Sequence, residues 1–178
     1  TDRIDAAVLA RMATTLQPPI RPATTPQQAK LAELISARDS LIRDKIAIQN
    51  QAKNLTVPLL KRQYKHRLDQ IDRHIGQVDA EIATSIAADP ALTRRHQIIS
   101  SIAGVGARTA DQLVATMPEL GELEPKQAAS LAGLAPVARQ SGQWKGRSFI
   151  QGGRANVRRA LYMPALVAAR YNPDLKAK

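Results

Sequence analysis

Apolar residues recur along most of this chain with the three- and four-residue spacing of one helix face. Residues 27–55 contain no Gly or Pro, and their seam comprises Leu31, Leu34, Arg38, Leu41, Lys45, Ile48, Ala52 and Leu55. After Pro58 a second seam comprises Tyr64, Leu68, Ile71, Ile75, Val78, Ile82 and Ile86. The two seams predict an antiparallel coiled-coil hairpin, in which the polar Arg38 and Lys45 weaken the first arm.

The segments on either side of this hairpin have a different pattern. Residues 1–12 carry a short helical stripe, whereas residues 16–26 contain four prolines and are predicted to be a linker. After Asp89-Pro90 the pattern predicts short helices at 92–102, 109–117, 125–134 and 154–170, with 140–153 forming a loop or a small hairpin. Because aromatic residues make up only 3% of the chain, Leu, Ile, Val and Ala must form the core, and we expect an all-α fold.

The charge balance indicates a polyanionic partner. The chain has 178 residues and a formal net charge of +11, which favours nucleic acid, with an anionic membrane surface as the alternative. No apolar run is long enough to span a bilayer, no signal peptide is recognisable, and no cysteine is present. These features predict a cytoplasmic protein without disulfides or thiolate metal sites, and with no membrane partner.

The clearest local motif is Ile-Ala-Gly-Val-Gly-Ala-Arg-Thr at 102–109, a glycine turn between two predicted helices. It resembles a helix-hairpin-helix motif, in which Gly104 and Gly106 let the backbone approach a phosphate and Arg108 adds a charge. Such a contact holds DNA without reading its bases. The alternative is an ordinary turn between helices that needs glycine only for its geometry.

A second signal is the separation of charges along the chain. Between Pro125 and Pro173 no acidic residue occurs, although ordinary surface helices mix both signs. Eight cations lie in this stretch: Lys126, Arg139, Lys145, Arg147, Arg154, Arg158, Arg159 and Arg170. We interpret them as a nucleic-acid contact rather than as a solvated basic face.

Two further positions could contribute chemistry. Ser141 lies in a glycine-rich segment among Arg139, Lys145 and Arg147, and a serine hydroxyl can attack a phosphodiester if cations stabilise the transition state. Asp2 and Asp5, three residues apart on a predicted helix, could hold a hard cation such as Mg²⁺. Taken singly, both patterns are also ordinary, because Ser-Gly is common in turns and acids are common near helix N-termini.

Together these passages resemble the DEDD-type insertion-sequence transposases (the 110/116/902 insertion-sequence family), some of which are recombinases guided by a bridge RNA. The resemblance covers residues 1–13, 98–134 and 141–169. Its most specific pieces are Ser141-Gly142, Gly146-Arg147 and the run Gly-Arg-Ala-Asn-Val-Arg-Arg-Ala-Leu at 153–161. The hairpin is similar to the family's coiled coil in character rather than in sequence.

The resemblance implies how the chain is organised. Residues 1–15 would be the last helix of a truncated RuvC-like domain, 16–26 a linker, 27–89 the coiled coil and 90–178 the transposase domain. Ser141 matches the nucleophile of the family, and Asp2 and Asp5 match the last two acids of a four-carboxylate Mg²⁺ site. The other two acids would lie upstream, so we expect this chain alone to be inactive.

The functional expectation is a segment of a DNA transposase that cuts and rejoins strands and forms a homo-oligomer through its coil. The family admits a bridge RNA as a further partner. The rival interpretation from another class is a non-catalytic nucleic-acid-binding scaffold that uses the helix-hairpin-helix motif and the coiled coil only to organise other molecules.

Overall fold

The structure is a computed structural model that describes residues 2–17, 24–138, 140–141 and 144–176. Within these ranges the side chains of Asp2, Gln140, Ser141, Trp144, Lys145, Asp174 and Leu175 are left undescribed. The helices are α1 Asp2–Leu16, α2 Pro26–Ala52, α3 Pro58–Ala87, α4 Pro90–Ser100, α5 Ala107–Thr116, α6 Pro125–Leu131, α7 Ala155–Tyr171 and α8 Pro173–Lys176. The strands are β1 Pro136–Val137, β2 Gln140–Ser141, β3 Trp144–Lys145 and β4 Phe149–Ile150.

The expected all-α architecture is confirmed, with α2 and α3 packed together as a long hairpin. Every residue of the two predicted seams is buried or half-buried, and Leu31 and Ile82 are almost completely covered. Pro26 and Pro58 each occupy the first turn of their helix, where a missing amide hydrogen does no harm. The side chain of Thr25 accepts a hydrogen bond from the Gln28 amide at 3.2 Å and so caps α2.

The two polar positions of the first seam have acidic partners on α3. Nε of Arg38 lies 2.5 Å from Oδ1 of Asp79, and Nζ of Lys45 lies 2.5 Å from Oδ1 of Asp72. The Arg38 N–H is not aligned with the carboxylate, so this contact is an ion pair without a hydrogen bond. The expectation that both residues only weaken the seam is therefore incomplete, because the facing helix supplies a carboxylate to each of them.

The lower part of the hairpin shares its core with the C-terminal helices. Leu31, Ile35 and Ile82 belong to the same buried cluster as Leu113 of α5 and Val157 of α7. Ile35, on the flank of the first seam, is only 1% exposed, so it is covered within this chain. The core is thus continuous across the expected boundary between residues 89 and 90.

The C-terminal helices begin and end at recognisable signals. Asp89 caps α4 by accepting hydrogen bonds from the amides of Ala91 and Leu92, so α4 begins at Pro90, slightly before the predicted start. Glu124 and Gln127 form a capping box at the start of α6. The short helix α8 was not predicted from the sequence.

Between α6 and α7, the described residues in the range 136–150 form a narrow ribbon. β1 pairs antiparallel with β4, so that Pro136 faces Ile150 and Val137 faces Phe149. Nearer the tip, β2 pairs with β3, so that Gln140 faces Lys145 and Ser141 faces Trp144. Of the two forms left open for this segment, a loop or a small hairpin, the hairpin is the one present.

None of the helices described here has the length and apolar character that crossing a membrane requires.

Candidate nucleic-acid interface

The glycine turn predicted as a helix-hairpin-helix joins α4 to α5. Gly106 is the N-cap of α5 in an extended conformation, and no side chain caps that helix. The first amides of a helix have no acceptor in a preceding turn. Here the Thr109 amide donates to the carbonyl O of Gly106, and no backbone hydrogen bond is described for the amides of Ala107 and Arg108, which suits them to an anion. A Cβ built on Gly106 would meet no atom within 4 Å, so there is open space beside this glycine.

Gly104, by contrast, is required by packing. Its φ of +95° lies in the left-handed region that side chains disfavour. A Cβ at this position would lie 3.0 Å from the backbone N of Ala168 and 3.1 Å from the carbonyl O of Pro164. The glycine therefore lets the turn approach the backbone of α7 closely. The structural explanation of the turn thus holds for Gly104, whereas a ligand contact at Gly106 stays a prediction.

Arg108, on the first turn of α5, extends from the turn towards α3. Its side chain is 69% exposed, and its Nη2 lies 3.5 Å from Oδ2 of Asp79. Asp79 thus contacts both Arg38 and Arg108, and it links the hairpin to the helix that follows the glycine turn. The long distance and the high exposure make the Arg108 contact weak, so its guanidinium remains accessible.

Ser141, the predicted nucleophile, ends β2 close to the tip of the ribbon, where its backbone pairs with Trp144. Lys145 lies in the facing strand, and Arg147 lies in the exposed connection to β4. Arg139, the third predicted cation of this group, lies outside the described residues. That these cations surround the Ser141 hydroxyl therefore stays a prediction.

The base of the ribbon is closed by two glycines in backbone contact. Gly133 has a φ of +68° and Gly153 a φ of +62°, and a Cβ on either would collide with the backbone of the other segment. The amide of Arg154 donates to the carbonyl of Leu131 at 2.8 Å, next to this contact. The two ends of the Ser141-bearing segment are therefore held together by close contact between their backbones.

Two arginines predicted to bind nucleic acid lie at this base and contact the protein instead. Arg154 forms a bidentate pair with Glu119, at 2.7 and 2.8 Å, and donates to the carbonyl O of Thr116 at 2.6 Å. The hydrogen bond to Glu119 raises the pKa of Arg154. Nη1 of Arg158 donates to the carbonyls of Gly133 and Gly152, at 3.0 and 3.1 Å. These contacts give both residues a structural role, and their binding to nucleic acid stays a prediction.

The predicted metal ligands lie on α1. Its helical conformation places positions 2 and 5 on one face, which fits two neighbouring carboxylate ligands, and Asp5 is exposed. Within the part of the chain that is described, no group of three or more His, Asp or Glu side chains is arranged to hold a metal. The same helix exposes its large apolar residues, namely Ile4, Val8, Leu9, Met12 and Leu16.

Sequence reasoning missed a polar cluster where the hairpin meets α4 and α5. Nε2 of His96 lies 3.0 Å from Oδ1 of Asp111, and both side chains are largely buried. Burial raises the pKa of Asp111, while His96 and Arg38 oppose that shift. On the next position of α5, Nε2 of Gln112 donates to Oδ2 of Asp39 at 3.5 Å. No local spacing signals these contacts, because they join residues from separate helices.

The chain is similar over 95% of its length to two curated proteins. Both are called pilin gene-inverting proteins, one from Moraxella bovis and one from Moraxella lacunata, and each is 30% identical over 176 residues. The chain spans about half the length of these relatives, 53% in each case.

A family model also matches residues 96–178, a region that begins in α4 and includes the glycine turn, the ribbon with Ser141 and all of α7. That family is described as "Transposase IS116/IS110/IS902 family". This C-terminal region of the chain is thus similar to the IS116/IS110/IS902 transposase family.

Proposed function

We propose that this chain is a segment of a DNA transposase or recombinase that cuts and rejoins DNA strands with Ser141 as its nucleophile. The observation that carries the proposal is the family match over residues 96–178, because it includes Ser141 and the glycine turn in one region. The names of the two similar Moraxella proteins, which refer to gene inversion, agree with a rearrangement of DNA.

The proposed chemistry is a transfer of a phosphoryl group to serine and back. The Ser141 oxygen forms a bond to the phosphorus of a phosphodiester, and the bond from that phosphorus to one sugar oxygen breaks. The serine proton passes to a base, and the departing sugar oxygen gains a proton as it leaves as a hydroxyl. Attack by another DNA hydroxyl reverses these steps and releases the serine, so no external energy source is needed.

Binding of DNA would precede this step, and exposed cations support it. Lys126, Arg147, Arg159 and Arg170 come from the acid-free stretch and are all exposed. With the open amides at Gly106 and the accessible Arg108, they offer a surface that attracts phosphates without reading bases. Arg139 and Lys145 belong to the same proposed surface by their positions beside Ser141 in the sequence.

A divalent metal ion is part of the proposal, since the family is of the DEDD type. Asp2 and Asp5 would supply two of its four carboxylate ligands, and α1 would be the last helix of a RuvC-like domain. When bound, Mg²⁺ would polarise the phosphodiester that is to be cleaved. The exposed apolar stripe of α1 supports this assignment, because such a stripe requires another surface to cover it.

Two further partners belong to the proposal. Recombination joins several DNA ends, so we propose that the hairpin pairs protomers, and Ile46 offers an exposed apolar position on it. A bridge RNA is the other proposed partner, which the basic surface could hold through the same phosphate chemistry.

The test of this function separates catalysis from binding. In the full-length protein, with a guide RNA supplied where one is used, Ser141→Ala should abolish strand exchange. Its affinity for DNA should stay within about twofold of the unchanged protein, because a neutral hydroxyl adds little to a contact made by charges. A matched control is Ser148→Ala, which removes a hydroxyl from the exposed connection beyond β3 and should recombine normally. If Ser141→Ala recombined normally, the serine would have no part in the mechanism, and the non-catalytic scaffold would become the better explanation.

A further inference from the structure

A cleft of about 260 Å³ opens where α2, α5 and α7 meet. Its polar lining comes from all three helices: Asp39 and Arg43 from α2, Gln112 from α5, and Asn156 and Arg159 from α7. The same five residues also line an adjoining cavity of about 130 Å³. This concave site is separate from the glycine turn and from the ribbon that carries Ser141.

The two arginines of the cleft differ from four other described arginines. Arg38, Arg95, Arg108 and Arg154 each pair with a carboxylate. Within the described part of the chain no ion pair is found for Arg43 or Arg159, and both are exposed. Among the described residues, Nη2 of Arg43 donates to the neutral Ser40 hydroxyl, at 2.8 Å. Two guanidinium groups therefore face one cleft, with a single carboxylate, Asp39, beside them.

The side-chain amides of Gln112 and Asn156 add uncharged hydrogen-bond donors to the cleft. Gln112 is only 6% exposed, and a buried polar side chain is costly unless it has partners. Its one described hydrogen bond, to Asp39, has the long distance of 3.5 Å. Oδ1 of Asn156 accepts from the Val157 amide at 3.0 Å, so the donor end of that side chain is turned away from this bond. A small anion with several oxygens would satisfy such a set of donors.

From this arrangement we propose that the cleft binds one phosphate group of a nucleic-acid backbone between Arg43 and Arg159. The inference rests on the proposed DNA-binding function and extends it to the hairpin, because Arg43 lies outside the region of the family match. Arginine suits this role since its planar fork matches two phosphate oxygens at once. Asp39 opposes the anion, but the two guanidinium charges outweigh its single carboxylate. The nucleic acid then crosses the junction between the hairpin and α7.

The proposal is tested by measuring the affinity of the 178-residue chain for a short DNA duplex by fluorescence anisotropy at several salt concentrations. Arg43→Gln and Arg159→Gln should each lower the affinity about tenfold, as expected for one charged hydrogen-bonded contact. Each should also reduce the slope of log K against log salt by about one. The double variant should lose less than the product of the two single losses, because both arginines hold the same phosphate.

The matched control is Arg62→Gln, which removes an exposed arginine from α3 nearer the turn of the hairpin. It should change the affinity by less than about twofold, as expected for a cation distant from the bound phosphate. If Arg43→Gln and Arg159→Gln behaved like this control while the unchanged chain bound DNA well, the cleft proposal would be overturned and the DNA-binding function would stand.

A second measurement separates the two sources of phosphate. Inorganic phosphate is added to the chain, and the side-chain amide signals of Gln112 are followed by NMR. Saturable shifts that Arg43→Gln abolishes, together with the DNA result above, support the proposal. Saturable shifts in a chain that does not bind the duplex would overturn both the nucleic-acid assignment of the cleft and the proposed function. The absence of any shift, with no loss of DNA affinity in either arginine variant, would show that the cleft takes no phosphate.

Discussion

Gly104 and Gly106 are only two positions apart, but their surroundings differ. Gly104 has a positive φ and touches the backbone of α7, whereas Gly106 has an extended backbone and faces open space. The first glycine therefore contributes to the stability of the fold, and the second is free to contribute to binding. This difference makes the pair a matched test of the helix-hairpin-helix interpretation.

Gly104→Ala should lower the free energy of unfolding by about 2 kcal/mol, through the strain of a left-handed side chain and the loss of close packing on α7. Gly106→Ala should change it by less than about 0.5 kcal/mol, because nothing meets the added methyl group. Because Gly106 is the N-cap of α5, the added methyl group would lie at the proposed phosphate contact, so Gly106→Ala should weaken DNA binding several-fold. Urea unfolding and duplex titration measure both effects. An unchanged DNA affinity for Gly106→Ala would argue for a purely structural turn.

Asp111 provides a pH-dependent contribution to stability. Burial, the largest influence, raises its pKa above the ordinary value of 3.8, so the folded state holds this proton more tightly than the unfolded state does. This contribution is fully present below pH 3.8 and is lost as the pH rises through the raised pKa.

Asp111→Asn removes this titration and keeps a carbonyl oxygen as an acceptor for His96. The variant should be about as stable as the unchanged chain below pH 3.8 and more stable above the raised pKa. Urea unfolding across that pH range measures the difference between the two free energies. A difference that is constant with pH would show that burial of Asp111 has no such effect.

At the scale of the elements, the hairpin could be predicted almost completely from the sequence. The reason is that a seven-residue repeat fixes which face of each helix is covered, whatever the details of the partner. The ion pairs could also have been found, because Arg38 and Lys45 are seven residues apart, and so are Asp72 and Asp79. Matching spacings of opposite charge on two antiparallel arms place each cation opposite an acid.

The base of the ribbon could not be predicted in the same way. The contact of Gly133 with Gly153 and the pair of Arg154 with Glu119 join residues that lie far apart in the chain. From the sequence, Arg154 and Arg158 looked like part of a basic surface, because charge alone does not reveal a distant carboxylate or carbonyl. The sequence thus predicts which residues belong to the candidate site. It does not predict the cleft of Arg43 and Arg159, which forms only where three helices pack together.

The hairpin also permits a test of self-association that leaves the fold intact. Ile75 and Ile82 are buried inside this chain, so changing them would disturb the hairpin itself. Ile46 is 51% exposed and Leu59 is 53% exposed, so a double change to Glu at these positions should give a folded monomer if the hairpin pairs protomers. Light scattering measures the mass, with Lys61→Glu, a change at an exposed position of α3, as the control. A monomeric unchanged chain at high concentration would make the hairpin a spacer.

At the scale of the whole molecule, the apolar core and the exposed cations lie in different places. The apolar core joins the lower hairpin to α4, α5 and α7. The described exposed cations of the acid-free stretch lie on α6, before β4 and on α7: Lys126, Arg147, Arg159 and Arg170. A rigid helical body would thus hold the proposed nucleophile segment, closed at its base by backbone contacts, next to a basic surface. That arrangement suits a protein that must hold a strand while one of its bonds is exchanged.

The central claim is that Ser141 becomes covalently joined to DNA, and trapping that intermediate tests it most directly. The full-length protein is incubated with a DNA substrate carrying a nick beside the scissile phosphate, denatured, and digested, and the peptide that retains a nucleotide is identified by mass spectrometry. Our account predicts a nucleotide on the peptide that contains Ser141, and its loss in Ser141→Ala. A recombining protein that leaves no covalent adduct, or an adduct on another residue, would contradict the account.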